Sequence, residues 1–194
     1  MPRIRKLKLS GFKKVYRTYL MRDFPRTELR PLFSVQRAWK RGAYSAYIYE
    51  EKGEILAYAA FSACGDPFCL LDYFAVTEKF RRQGIGSAFL KDLLPVVLQK
   101  SEIIVEAEST QSANNSKEAF IRQKRLDFYE KNGAIQTGVG SRVFGVDYTI
   151  LCFPGKAKIL SVDEYQHAIM RLYRKVYHPF FGKIFATIQS KKQP

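Results

Sequence analysis

A chain of 194 residues with 46% hydrophobic content is long enough to bury one sizeable core and short for two, so one domain with attachments is expected. Its longest apolar runs, such as FCLLDYFAV with its Asp72, fall well short of the roughly 20 residues that a membrane helix needs, and the basic opening MPRIRKLKLS lacks the apolar stretch and cleavage site of a signal peptide. Three cysteines, Cys64, Cys69 and Cys152, show neither CxxC nor Cys/His spacing; no metal site is expected, and a reduced, cytoplasmic setting fits them, while the net charge is +15.

In chain order, Phe12, Val15, Tyr16 and Tyr19 recur at helical spacing before Pro25, and Leu32, Val35, Ala38 and Trp39 do so before Gly42, which predicts two N-terminal helices. AYSAYIY and EILAYAAF alternate around Lys52-Gly53 as a hairpin, and FCLLDYFAV reads as a third strand. The segment RRQGIGSAFL opens an apolar helix straight after that strand. EIIVEAE follows, with Ile103, Val105 and Ala107 on one face and Ile104, Glu106 and Glu108 on the other. Beyond the polar STQSANNS, Asn115 with Glu118 resembles a capping box for a helix through Tyr129 that Gly133 ends. AIQTGVG and RVFGVDYTILCF read as a closing strand pair, and Pro154-Gly155 marks the edge of the core. Ser161 and Glu164 form a second capping-box pattern for a helix to about Tyr177, stopped by His178-Pro179, and a tail with Phe180, Phe181, Ile184, Phe185 and Ile188 follows. The tail is expected to pack on the domain or on a second subunit rather than on lipid.

Charge divides unevenly along this order. Residues 1–41 hold thirteen Lys/Arg against two acids and residues 156–194 eight against two, giving flanks of +11 and +6, while the middle has twelve bases and fourteen acids. Such flanks could meet RNA, an acidic protein face or an anionic cofactor. Lys/Arg on the solvent faces of amphipathic helices is the preferred reading, and nucleic-acid binding is expected to be weak at most.

Two glycines at a helix start, preceded by basic residues, point to an anion. The first N–H groups of a helix have no intrahelical partner, and the dipole favours negative charge there. Gly84 and Gly86 would let phosphate oxygens reach the backbone, with Arg81 and Arg82 adding charge. A P-loop string is absent, and Phe89 stands where a dinucleotide fingerprint needs its third glycine. What remains is R-x-x-G-x-G between a strand and a helix.

With LDYFAVTEKFRRQGIG and, after a further strand, FYEKNGA at residues 128–134, the chain resembles the GNAT superfamily of acetyl-CoA-dependent N-acetyltransferases over roughly residues 44–151. The resemblance implies an α/β fold, with a mostly antiparallel central sheet and helices on both faces, in residues 1–155. Residues 156–194 would be a basic helical extension. It implies acetyl-CoA as donor, an amine-bearing small molecule or protein as acceptor, and the option of a homodimer. Phe74, Ala75 and Val76 would pair their backbone with the pantetheine amides, and Arg81, Arg82, Gln83, Gly84, Gly86 and Ser87 would hold the pyrophosphate. Tyr129, four residues before Gly133, matches the family's general acid.

The reaction itself requires both a base and an acid. An alkyl amine with a pKa near 10.4 is about one part in a thousand or less unprotonated at neutral pH, so a base is needed before it can attack a thioester. Glu106 is the preferred candidate, with Glu108 and Asp72 as alternatives. The leaving thiolate needs a donor still protonated at pH 7, a condition that tyrosine meets and an ordinary carboxylic acid does not. Three residues depart from the family pattern: Arg122, Arg125 and Ala134. The arginines would either meet cofactor phosphates or pair with Glu118 and its neighbours. By the resemblance, acceptor choice falls to residues 23–29 and 138–145. Glu28 there would either hold a cationic acceptor or suit a helix dipole. The alternative to an enzyme is a binding module of the same fold whose basic flanks recognise RNA or an acidic protein; the intact glycines with Tyr129 favour the enzyme.

Overall fold

A computed structural model describes residues 1–155 and 159–177 and, beyond them, the backbone of Gln189–Ser190. The expected tail at residues 180–188 lies outside the described residues. The elements run β1 (Arg3–Lys6), α1 (Leu9–Val15), a π-helical stretch (Tyr16–Leu20), α2 (Met21–Asp23), α3 (Leu32–Lys40), β2 (Tyr44–Glu51), β3 (Glu54–Ser62), β4 (Phe68–Val76), α4 (Ile85–Val97), β5 (Glu102–Glu108), α5 (Ser116–Lys131), β6 (Ile135–Val143), β7 (Val146–Phe153), α6 (Val162–Val176) and β8 (Gln189–Ser190). Among the described residues the sheet is ordered β1-β2-β3-β4-β5-β7-β6-β8. Its neighbours are antiparallel except β4 and β5. This is the mixed α/β architecture with a mostly antiparallel sheet that the sequence predicts.

Both faces are covered, because the strands alternate apolar residues to each side. On one face α4 contributes Phe89, Leu90 and Leu93, and α5 contributes Leu126 and Tyr129. They pack on Ile103, Val105 and Ala107 of β5. On the other face, Phe12, Tyr16 and Leu20 of the N-terminal helical region and Val35 of α3 pack on Ala46, Ile48 and Tyr58. Tyr165, Ile169 and Leu172 of α6 pack beside them on Leu70, Ile104 and Ile150. The capping boxes set the helix starts. Asn115 accepts from the Glu118 amide at 2.9 Å, although the Glu118 carboxylate turns to the Asn114 amide rather than to Asn115. At α6 the reciprocal Ser161–Glu164 box is complete.

Two local readings are corrected. Residues 3–6, read only as a basic opening, form an edge strand on β2. Arg3 and Arg5 clamp Glu50 there, with Arg5 Nη2 at 2.8 Å. A four-residue strand whose polar positions are all exposed carries no alternation to read, and its positive charge is the usual protection of a sheet edge. The closing hairpin turns at Phe144-Gly145, both with positive φ (50° and 83°). The expected strand beginning at Arg142 ran through this turn, because a phenylalanine in left-handed backbone is uncommon.

β4 holds the irregularity that matters most for function. Phe61 pairs with Leu71 and Ala60 with Tyr73, so Asp72 is an extra residue, a β-bulge. Cys69 and Leu71 face the α4–α5 core before it, and Phe74 and Val76 do so after it, so the alternation changes phase at Asp72. A bulge bends its strand. β4 pairs with β5 only through Phe68–Glu102, Cys69–Ile103 and Leu70–Ile104, after which β4 runs on to Val76 and β5 to Glu108.

Candidate active site

The divergence of β4 and β5 leaves the last part of β4 without a strand neighbour on that side, while β3 continues to pair its other edge through Ala57–Val76. Backbone groups at Phe74 and Ala75 are therefore open to an extended ligand, as a missing strand would be. The carbonyl of Val76 is already engaged, accepting from Arg81 Nε at 3.1 Å. Phe74 stacks on Phe89 at 5.7 Å and meets Phe128 and Tyr129 edge-on or tilted, which places the Tyr129 ring beside this edge.

α4 starts at Gly84, whose φ of 75° is left-handed, a conformation that glycine adopts without steric cost. No side chain caps this terminus, and its first turn holds no acid. A Cβ built on Gly84 would meet nothing within 4 Å. Free N–H groups, open approach and no competing carboxylate suit the pyrophosphate of an acyl-CoA. Arg82 is exposed at the same turn with a φ of 63°, and the half-buried Ser87 lies in its first helical turn. Arg81 is committed elsewhere, with Nη2 3.7 Å from Asp23, and the Gln83 amide folds back to the Lys79 carbonyl at 3.0 Å. At Gly86 packing adds a rationale. A Cβ there would lie 3.2 Å from the Phe128 ring and 3.3 Å from Val76 Cγ2, so the glycine also lets α4 close on α5 and β4.

Beyond the last β4–β5 pair, Glu106 projects to the opposite face, two residues after Ile104. It is half-buried and accepts hydrogen bonds from the Tyr173 hydroxyl and, at 3.2 Å, from the Tyr177 hydroxyl. Because Tyr173 donates to Glu106, Ser141 is the donor in its own 2.9 Å contact with Tyr173. Burial pushes the Glu106 carboxyl up to about 7, Asp72 adds to the rise, and the two tyrosine hydrogen bonds and Arg30 hold it down. A carboxyl at that value is part carboxylate at neutral pH and holds a proton once it has taken one.

The alternative bases are tied up. Asp72 is bonded to Ser62 Oγ at 2.5 Å and paired with Arg30 at 3.1 Å, its side chain only 4% exposed. Glu108 lies 2.7 Å from Arg125 and 3.6 Å from Arg122. Arg122 is buried, bonded to Glu118 and the Ser109 carbonyl at 2.7 Å each. Of the two predicted partners for these arginines, the neighbouring acids are the ones they reach. Tyr129 is buried among Phe74, Phe128 and Phe153, and burial pushes its phenol up to about 12. Its hydroxyl makes no hydrogen bond among the described residues. Glu28, exposed in the loop after α2, is raised above the usual carboxylate range by partial desolvation and then by Glu108. Burial and then Glu106 raise Tyr148. Tyr148 thus lies close to Glu106, Glu28 and Glu108. Among the described residues no cluster of three His, Cys, Asp or Glu could hold a metal ion, and no helix is long and apolar enough to cross a membrane.

Sequence reasoning missed Arg30, Tyr173 and Tyr177. Arg30 bonds Asp72, Ser62 and, at 2.8 Å, the Val176 carbonyl at the end of α6. Its own backbone is held by Tyr73 at 2.7 Å and Tyr16 at 2.8 Å. The four-residue spacing of Tyr173 and Tyr177 does place them on one helix face. Nothing local connects that face to a glutamate 67 and 71 residues upstream.

Comparison with known proteins gives the geometry its family. The sequence model described as Acetyltransferase (GNAT) family matches residues 13–133, and no curated protein sequence matches. Among solved structures the chain is similar to a GNAT-family protein from Bacteroides thetaiotaomicron, 19% identical with a TM-score of 0.70 over 91% of this chain and 99% of that one. It is also similar to the ribosomal-protein-S18-alanine N-acetyltransferase of Escherichia coli, 18% identical with a TM-score of 0.59 over 81% and 97%. A third likeness is to a GNAT acetyltransferase of Elizabethkingia anophelis with acetyl-CoA bound, 19% identical with a TM-score of 0.52 over 78% and 94%. These likenesses establish the fold, and the family match, which spans more than half of the residues, establishes that the chain belongs to the acetyltransferase (GNAT) family.

Proposed function

We propose that the protein is an acetyl-CoA-dependent N-acetyltransferase that modifies a primary amine, of a small molecule or of a protein or peptide, by direct attack. Bound acetyl-CoA would supply an activated thioester. The open edge at Phe74 and Ala75 would align the pantetheine arm, and the first turn of α4, residues 84–87 with Arg82, would hold the pyrophosphate. Arg81 and Gln83 would shape that turn through their own bonds to Val76 and Lys79.

The observation that carries this reading is Glu106, a half-buried carboxyl just past the point where β4 and β5 separate, tuned to about 7. An ammonium acceptor must lose a proton to attack, and a carboxylate oxygen of Glu106 takes it directly or through a water. On the thiolate side Tyr129, still protonated at neutral pH, gives its hydroxyl proton to the departing sulfur. Phe74, Phe128 and Phe153 fix the ring that carries that hydroxyl. The exposed Glu28 favours a cationic acceptor.

Replacing Glu106 by Gln tests the assignment. Acetyl-CoA binding, followed by calorimetry, should match the parent, while thiol release with amines, aminoglycosides and peptides as acceptors should fall about a hundredfold or more. The parent's kcat/KM should rise with pH through about 7, and that limb should vanish in the variant. A Glu106→Gln protein that turns over like the parent, measured where chemistry limits the rate, would remove Glu106 from the role.

A further inference from the structure

We propose that α6, which lies wholly beyond the segment matched by the family, completes the active site, with Tyr173 and Tyr177 as positioning residues that hold the Glu106 carboxylate for proton transfer. The inference rests on the reading of Glu106 as the base. It begins from the geometry: each of the two carboxylate oxygens receives one tyrosine hydroxyl, Oε1 from Tyr173 and Oε2 from Tyr177 at 3.2 Å. Tyr173 is itself fixed from β6, because Ser141 donates to its oxygen at 2.9 Å, and its ring packs edge-on to Tyr177 at 5.3 Å. Tyr177 sits at the C-cap of α6, one residue after the Val176 carbonyl that Arg30 holds. The Tyr173 hydroxyl and the backbone beside Tyr177 are therefore anchored from outside the helix that carries them.

The two tyrosines act differently. The Tyr173 bond lies inside a relay that is buried on the Ser141 side, so it sets the direction of the carboxylate. The longer Tyr177 bond, at the helix end, holds the second carboxylate oxygen less firmly. The remaining groups that face Glu106 are Asp72 from β4, Arg30 from the loop after α2 and Tyr148 from β7. Of these, only the Arg30 charge aids the carboxylate as the tyrosines do. A hydroxyl that donates to the charged form favours it. Removing that hydroxyl therefore moves the titration of Glu106 upward, and activity then requires a higher pH.

Titration of the Glu106 carboxyl by carbon-13 NMR, in the full-length protein without acceptor, reads this directly; Glu106→Gln assigns the signal. In Tyr173→Phe the midpoint should rise by about one pH unit, the usual effect of losing one hydrogen bond to a charged group. In Tyr177→Phe it should rise by less. The acidic limb of kcat/KM should move by the same amounts, with turnover recovering at high pH. If α6 serves only to cover the sheet, both variants lose rate at every pH while the midpoint stays, and the proposal is overturned. A midpoint that moves while the rate limb stays also overturns it, and places the fault in Glu106 as the base. Tyr177→Phe lies at a helix end, so it keeps the test open should Tyr173→Phe fold poorly.

Discussion

On the α4–α5 face of the sheet, the groups proposed to meet acetyl-CoA come from one stretch, residues 74–87, and from Tyr129 packed directly on Phe74. On the opposite face, the groups around Glu106 come from residues 30, 72, 141, 148 and 173–177, joined by contacts between residues up to 146 positions apart. The first site is a local motif that strand and helix geometry assemble together. The second exists only once α6 has docked beside the N-terminal helices, and Arg30 is the residue that touches both. The proposed donor site is thus built into the sheet itself, whereas the proposed acceptor side is built from the two flanks that lie around it.

Breaking the seam should have the largest effect. Arg30→Met leaves the Asp72 carboxylate, 4% exposed, without its cationic partner and releases the Val176 carbonyl. Removing one member of a buried pair costs about 3–5 kcal/mol, and the guanidinium is 19% exposed, so the lower end, ~3 kcal/mol, is expected in urea unfolding. Adding Asp72→Asn should restore part of that loss, because the two groups are coupled. Turnover should fall in Arg30→Met even at temperatures where it stays folded, since Tyr177 loses its anchor. A loss below about 1 kcal/mol would mean that the two faces are not held differently after all.

The same division explains what the sequence disclosed. The strand limits Phe68–Val76 and Glu102–Glu108 coincide with FCLLDYFAV and EIIVEAE as read, and the Ser161–Glu164 box begins α6 as read. These features depend on neighbours within four residues. The choice of Glu106 over Asp72 could not be decided that way. Asp72 lies on a bulge that places it against Ser62 and Arg30, and a bulge leaves no mark in a run as apolar as FCLLDYFAV. Arg122 and Arg125 carried charge that suited a phosphate equally well. The Arg122–Glu118 pair is a local i,i+4 contact within α5, whereas only the return of α5 across the end of β5 brings both arginines to Glu108.

Tyr129 sharpens the comparison from the donor side. In the proposed role its hydroxyl acts only when negative charge develops on sulfur, so Tyr129→Phe should lower kcat by about a hundredfold while acetyl-CoA affinity stays at the parent value. The ring remains in place against Phe74 and Phe153, and the acidic limb of the rate profile, which belongs to Glu106, should not move. That separates it from Tyr173→Phe, which moves the limb. An unchanged kcat, measured where chemistry limits the rate, would leave the α4–α5 face with a binding role alone.

The smallest effect is expected at Gly86, and it decides why that glycine is there. A methyl group would approach the Phe128 ring to 3.2 Å and Val76 Cγ2 to 3.3 Å, and forcing one methyl into a packed contact costs about 1–3 kcal/mol. Replacing a helical glycine by alanine returns about 0.5–1 kcal/mol through the unfolded chain. The net for Gly86→Ala is therefore a loss of about 1 kcal/mol in thermal or urea unfolding, with acetyl-CoA affinity reduced by no more than about threefold. If instead the glycine served to admit phosphate, the order would reverse: stability would hold or improve, and calorimetric affinity would fall by a factor of ten or more, about 1.4 kcal/mol. The two measurements on one variant thus separate close helix packing from ligand approach. The packing outcome leaves Gly84, with open space around it and left-handed backbone, as the residue that exposes the first turn of α4 to its anion.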